Sequence, residues 1–522
     1  MKTYTSNSNK KWFGIFCFFI VLVFSACKKT DSTATSTSTT TNTGTTSTTG
    51  GTSTILNTGI ISGTAEGSTE IGANADDLLA NSTFSSIVSI NFGSTITITN
   101  PLSAAGVTIT QNNGDVTITA TATGVEYQLS GTTTNGSVKV YSDKKFKMTL
   151  NGVSITNNDG PAINIQSSKR AFIVVADNTT NNLTDAASYA TSTEDMKGTF
   201  FSEGQLIFSG TGALNLKANY KHAIVSDDYV RVISGNITVA SAVSDGIHTN
   251  DAIIIDGGTL KITAAGDGIQ ADEGYVIVND GTLTLNTVDK GISASYEGTD
   301  TTIIPYLNIN GGTITVISSK GEGIESKGVL TINKGTISLN TYDDAINAKT
   351  AIYINGGSVY AYATNNDAID SNGTLTITGG TTVAIGANAP EASIDCDART
   401  LKITGGLVIG IAGATSGPTA SVSTIRSVVM GSGAANTIVH IEAADGTEAL
   451  TFLAPKAYST LIYASSKLKA TTAYTVYTGG SVTDGTTFNG LYLTGTYNRG
   501  TKGTTFTTTN ILTQIGGSIS RN

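Results

Sequence analysis

The stretch Asp344-Ala-Ile346-Asn-Ala-Lys-Thr-Ala-Ile352-Tyr-Ile354-Asn-Gly-Gly-Ser-Val359-Tyr360-Ala361-Tyr362 contains one complete repeat of a much longer pattern. Side chains alternate across a strand, so Ile346 and Ala348 point one way and Asn347 and Lys349 the other. A second run places Ile352 and Ile354 inward. Gly356-Gly357 then turns the chain, because glycine adopts left-handed backbone at little cost. A third run puts Val359 and Ala361 inward and Tyr360 and Tyr362 outward. The opening phrase recurs as Asp245-Gly-Ile247, Asp267-Gly-Ile269, Lys290-Gly-Ile292, Glu322-Gly-Ile324, Asp367-Ala-Ile369 and Ala392-Ser-Ile394. The isoleucines follow one another at steps of 22, 23, 32, 22, 23 and 25 residues. A period in the low twenties with three short strands per repeat is the pattern of a β-solenoid.

Weaker copies lie upstream at Ile163, Phe201 and Ile224. With Ile247, Ile269, Ile292, Ile324, Ile346, Ile369 and Ile394 they predict an all-β, right-handed parallel β-helix of about ten coils with N- and C-terminal caps. The division expected is a leader over 1–27, a Ser/Thr-rich tether over 28–54, N-terminal cap strands over 55–160, the helix over 161–413 and a C-terminal β cap over 414–522.

Stacking aligns equivalent residues about 4.8 Å apart, so each position writes a ladder. Two ladders flank the inward isoleucines and are expected to face outward. Two residues before them stand Asp245, Asp267, Lys290, Glu322, Asp344, Asp367 and Ala392; one residue after them stand His248, Gln270, Ser293, Glu325, Asn347, Asp370 and Asp395. Carboxylates so spaced repel unless a cation or hydrogen bonds intervene. Asp343, Asp344, Asp367, Asp370, Asp395 and Asp397 gather over three coils, and Ca²⁺ is the expected cofactor there, since it takes six to eight oxygens. Asp245, Asp267 and Asp272 form a looser second group. A plainer alternative is that each Asp caps local N–H groups in a turn. His222 and His248 lie on consecutive coils, but two histidines without a third suitable ligand make a weak case for zinc.

The chain has 59 Gly, 6 Pro and a net charge of −9. No basic stripe is present to release counterions, which argues against nucleic acid. Cys396 is the one thiol beyond Cys17 and Cys27, and its column of small residues places it in the core. Lys2, Lys10 and Lys11 precede an apolar run over 12–26 that ends at Ser25-Ala26-Cys27, too short to span a bilayer comfortably. Cys27 is the expected lipidation site, placing the protein in a bacterial cell envelope, tethered by its anchor at the outer membrane or cell surface. The Ser/Thr/Gly/Asn tract that follows buries nothing and suits a flexible tether.

Tyr127-Gln-Leu-Ser-Gly-Thr, Leu150-Asn-Gly-Val-Ser-Ile-Thr-Asn, Asn181-Asn-Leu-Thr-Asp, the Asp-Gly-Ile coils and Thr472-Ala-Tyr-Thr-Val-Tyr-Thr-Gly-Gly occur in this order. Together they resemble the calcium-dependent carbohydrate-binding β-helix family typified by a clostridial polygalacturonate- and cellulose-binding protein. The resemblance spans roughly 94–506. It implies bound calcium, an acidic polysaccharide partner and a pectate-lyase-like scaffold without established lyase activity. The chain departs from it at Lys290 and Ala392, where the family's Asp is missing. An acidic protein can hold an acidic polymer if Ca²⁺ lies between them.

The expected function is therefore non-catalytic binding of polygalacturonate-like or cellulosic polymer by a monomer, with Tyr360 and Tyr362 as stacking surfaces and Lys349 and Arg399 at the cluster's edge. A calcium-assisted lyase with a Lys base (Lys349, Lys327 or Arg399 being the candidates) and a structural adhesin are the competing readings. A carboxylate beside a lysine raises its pKa, which disfavours the lyase.

Overall fold

The computed structural model describes residues 51–57, 59–296 and 298–520; the expected leader, Cys27 and the tether as far as residue 50 lie outside them. Regular structure among the described residues is almost wholly β, with two short 3-10 turns over Ala75–Asp77 and Leu79–Asn81.

The coil that starts at Asp344 has strands Ile346–Ala348, Ala351–Ile354 and Ser358–Ala363. Each pairs in parallel with its counterparts one coil before and one after, and Ile346 stands opposite Ile324 and Ile369. Ile346, Ala348, Ile352, Ile354, Val359 and Ala361 are all fully buried, as the alternation requires. Parallel pairing to both neighbours satisfies the backbone donors and acceptors that a short isolated strand would leave open.

The stack is longer than the ten expected coils. The sheet of short strands that carries the inward isoleucines has 13 members. Asp115–Ala120 and Ser137–Ser142 extend it upstream in parallel, and Val107–Asn112 ends it with an antiparallel pairing. These residues lack the Asp-Gly-Ile phrase, yet Val116, Ile118, Val138 and Val140 fill the same inward positions. The antiparallel hairpin covers what would otherwise be a bare parallel edge.

The segment 59–83 is neither cap nor coil. It runs along the flank of the stack, held by one Asn per coil. Asn279, Asn310, Asn333 and Asn355 each donate one amide N–H to the side chain one coil back, at 2.8–2.9 Å, and the other to a carbonyl of Ile71, Glu70, Ser68 or Glu66 at 2.7–2.9 Å. Farther along, the buried Asp77 meets Arg170 at 2.9 Å and Arg231 at 3.2 Å. A strap thus ties coils together that otherwise touch only their neighbours.

The C-terminal part joins the stack through Leu407–Ala412, which pairs antiparallel with Thr460–Ser465. All six residues of Leu407–Ala412 are buried, because one face meets the stack interior and the other a second core of Val383, Ile409, Leu450, Phe452 and Tyr463. A seven-stranded sheet completes this part. One of its strands is Thr52–Leu56, antiparallel to Leu491–Asn498. Residues 52–54, expected as part of a tether, are strand instead, with Ser53 and Ile55 buried in the sheet.

Candidate functional site

The ladder two residues before the isoleucines does not face outward as expected. Asp245, Asp267, Asp344 and Asp367 are 4–8% exposed. They sit in the turn ahead of each short strand, where the chain tucks the carboxylate under the next coil. One oxygen of each then accepts the backbone N–H of the equivalent residue there. Asp245 caps Asp267 at 2.9 Å, Asp267 caps Lys290 at 2.8 Å, Asp344 caps Asp367 at 3.0 Å, and Asp367 caps Ala392. His222 occupies the same position one coil earlier, its Nδ1 3.3 Å from the N–H of Asp245. The capping alternative accounts for one oxygen of each carboxylate. The second oxygen decides the chemistry.

In the later coils the second ladder supplies oxygen. Asp370 stands beside Asp395 in parallel register, and Asp367, Asp370 and Asp395 each place one carboxylate oxygen within 4.8 Å of the other two. The remaining candidates lie around this group. Asn347 donates to both Asp344 and Asp370 at 3.0 Å. Asp343 accepts from Asn366 at 2.6 Å, and Asp397 is exposed beyond the strand end. Burial pushes the Asp344 carboxyl up to about 8, with Asp370, Asp367 and Asp343 adding to the shift against the Asn347 hydrogen bond. Burial likewise pushes Asp367 up to about 7, reinforced by Asp395, Asp370 and Glu391 and opposed by the Ala392 N–H. Carboxylates held this way favour any cation that reaches them.

In the middle coils the protein supplies its own cation. Lys290 stands in the column that holds Asp in neighbouring coils, and its ammonium lies 3.3 Å from Glu325, which Lys327 also contacts. Burial alone would lower the Lys290 pKa, but Glu325, Asp267 and Glu322 outweigh it and keep the lysine charged. The Lys290 charge also favours ionised Asp267, but burial, with Asp245 and Asp289, still pushes that carboxyl up to about 8.

In the earlier coils the second ladder supplies nitrogen. Asp245 Oδ2 lies 3.0 Å from His222 Nδ1 and 2.9 Å from His248 Nδ1. The two imidazoles stack with centroids 4.2 Å apart, and His248 Nε2 is 3.3 Å from Asp272. Burial would raise the Asp245 pKa, but hydrogen bonds to both histidines hold it well below the carboxylate range. The histidines are visible in the sequence. Asp245 as their common partner is not, because its spacing groups it with the acidic ladder.

Tyr360 and Tyr362 are half-buried, ring centroids 6.2 Å apart, and pack against the second core. Their register partners on the next coil, Val383 and Ile385, are buried members of that core, so only part of each ring is open to a sugar. Lys349 and Arg399 are exposed, Arg399 in a left-handed turn with φ of 55°. Cys396 is buried, its Sγ 3.3 Å from the Gly373 carbonyl.

Comparison with known proteins bears on the whole stack. A polysaccharide lyase-like protein from C. thermocellum, solved as a gadolinium derivative, aligns over 56% of this chain and 96% of its own with 24% identity and a TM-score of 0.37. A carbohydrate-binding domain-containing protein of Acetivibrio thermocellus is 32% identical over 221 residues, 40% of this chain and 74% of that protein. The family model for carbohydrate-binding domain-containing proteins matches residues 112–365 and 306–483, taking in the acidic column and most of the second core. The chain belongs to the family of carbohydrate-binding domain-containing proteins.

Proposed function

We propose that the chain binds an acidic, polygalacturonate-like polysaccharide through calcium held at Asp367, Asp370 and Asp395, and does not cleave it. The observation that carries this reading is the convergence of three carboxylates from two adjacent coils, one oxygen of each within 4.8 Å of the others. The donor set suits the ion. Carboxylate oxygen is a hard ligand, and Ca²⁺ takes six to eight oxygens, so three carboxylates leave positions for uronate oxygens. At a net charge of −9 the protein needs such an intermediary to attract a polyanion. Family membership supports carbohydrate as the ligand class.

Against cleavage stands the state of one candidate base: Lys327 is paired with Glu325, and an ion-paired ammonium is a poor general base. Lys349 and Arg399 are exposed at the cluster's edge, where they would steer or contact an anionic chain. The expected lipid on Cys27 would hold the domain at the envelope surface; Cys27→Ser would then move the protein from the membrane fraction to the soluble one.

Titration of polygalacturonate into the full chain, with calcium and then with chelator, tests the reading. Binding should require calcium and should fall at least tenfold in Asp370→Asn/Asp395→Asn. That variant spares the Asp367 cap, and an amide at position 395 keeps an oxygen to accept the Cys396 N–H that Asp395 meets at 3.0 Å. Absorbance from unsaturated uronate should not rise. Equal affinity in calcium and in chelator would overturn the calcium bridge, and unsaturated product would overturn the non-catalytic reading.

A further inference from the structure

We propose that His222, Asp245 and His248 form a second metal site, built for a borderline divalent ion of the Zn²⁺, Ni²⁺ or Cu²⁺ class and separate from the carboxylate group at Asp367. One atom from each of the three residues lies within 4.8 Å of the others. Two imidazole nitrogens and a carboxylate oxygen make a donor set suited to these ions and poorly suited to calcium.

The hydrogen-bonding of the rings points the same way. His248 Nε2 lies 3.3 Å from Asp272, the usual outer partner that takes the N–H of a ligating imidazole and leaves the other nitrogen bare. Its Nδ1 then faces Asp245 Oδ2 at 2.9 Å, lone pair to lone pair. His222 has the same conflict. Its Nδ1 lies 3.3 Å from the backbone N–H of Asp245, which needs an acceptor, and 3.0 Å from Oδ2 of the same residue, which needs a donor. One nitrogen cannot serve both. A cation at the point where both Nδ1 atoms and Oδ2 converge takes all three lone pairs and relieves the repulsion each ring nitrogen has with Oδ2. A proton on each ring would instead set two charged imidazoles face to face at 4.2 Å. Meanwhile Asp245 Oδ1 is occupied by the N–H of Asp267 at 2.9 Å, so the backbone ladder fixes the carboxylate's orientation. His222 is 2% exposed and Asp245 5%, whereas the Asp272 side chain at the outer edge is 41% exposed and marks the side from which an ion enters. Three protein donors leave a fourth position open, as in zinc sites that exchange a ligand.

The experiment uses the full chain stripped with chelator, titrated with Zn²⁺ by calorimetry and loaded with Cu²⁺ for electron paramagnetic resonance. One Zn²⁺ per chain should bind, and the Cu²⁺ spectrum should show coupling to two nitrogens. His248→Gln installs the residue that the next coil carries at the same register position, Gln270, so the fold should tolerate it; Zn²⁺ affinity should drop at least tenfold and one nitrogen coupling should vanish. Asp272→Asn, which touches only the outer partner, should weaken Zn²⁺ by about tenfold. Calcium-dependent polymer binding should be unchanged in both variants, which separates this site from the one above. Zn²⁺ affinity that is unchanged in His248→Gln, or a Cu²⁺ spectrum without nitrogen coupling, would overturn the proposal and leave a proton-bridged structural cluster.

Discussion

At Asp245 and at Asp367 the chain does the same thing with one carboxylate oxygen and different things with the other. Both residues cap the backbone N–H one coil below. Beyond that, Asp245 meets two imidazoles and Asp367 meets two carboxylates. Between them Lys290 fills the column with an ammonium. The shared device is thus the cap that each buried Asp of the inner ladder gives the next coil. What varies is the group that meets its second oxygen: imidazole at Asp245 and carboxylate at Asp367, with Lys290 standing in the inner ladder itself between them. A solenoid permits this because substitutions on one coil touch only its neighbours.

The largest effect comes from breaking what both regions share. Ile346→Asp places a charge among fully buried side chains and should cost about 4 kcal/mol or more. Chemical denaturation in chelator would measure it. If the comparison holds, the damage should centre on the later coils and abolish calcium binding, while Zn²⁺ binding around Asp245 is weakened less. Equal loss at both sites would mean that the stack unfolds as one unit and that the two regions are not independent.

The next contrast separates the two ladders. Asp367→Ala removes the acceptor of a buried N–H and should cost about 1–3 kcal/mol even in chelator. Asp370→Asn, on the outer ladder, should cost under about 1 kcal/mol in chelator. With calcium at 100 times its dissociation constant the wild type should gain about 2.7 kcal/mol, and Asp370→Asn should lose most of that gain. Melting curves of the three proteins with and without calcium would show it. A wild type indifferent to calcium would reduce the later coils to capped turns.

The inward half of this architecture was legible because it repeats. Ile346, Ile352 and Val359 announce three strands by alternation alone, and glycines at fixed offsets announce the corners. Ten of the 13 rungs carried a readable anchor. In one of them the column falls on Phe200, opposite Ile163 and Ile224, and not on the expected Phe201, because two adjacent phenylalanines leave the alternation ambiguous. The other three lacked the Asp-Gly-Ile phrase, and alternation by itself did not separate coil from cap. The strap over 59–83 left no periodic trace of its own. Its partner did: the asparagines at 279, 310, 333 and 355 recur once per coil, and a column of Asn in a half-buried turn signals an amide ladder. The Asp column was visible, but its burial was not, since it lies in a turn where strand alternation no longer says which way a side chain points. Asp245 and the histidines fall into different groups in the sequence because spacing orders residues along one coil, while the site is assembled across two.

A pH dependence should run along the buried acidic column, where burial pushes Asp267 up to about 8 as it raises Asp344 and Asp367 in the later coils. Asp344 and Asp367 titrate near 8 and 7 in the folded chain against 3.8 as the unfolded reference. A carboxyl whose folded pKa is raised contributes its full stability below the unfolded value and loses it as pH rises through the folded value. In chelator, stability should therefore decline between about pH 4 and pH 8 as these groups are forced to ionise in place. Calcium should flatten the decline, because the ion favours the charged forms that burial disfavours. Asp245, held low by its histidines, contributes nothing to this window: its ionised form is already favoured throughout it. Asp344→Asn should accordingly reduce the slope in chelator. A slope unchanged in Asp344→Asn would show that its carboxyl does not ionise in this window and would remove the electrostatic reading of the later coils.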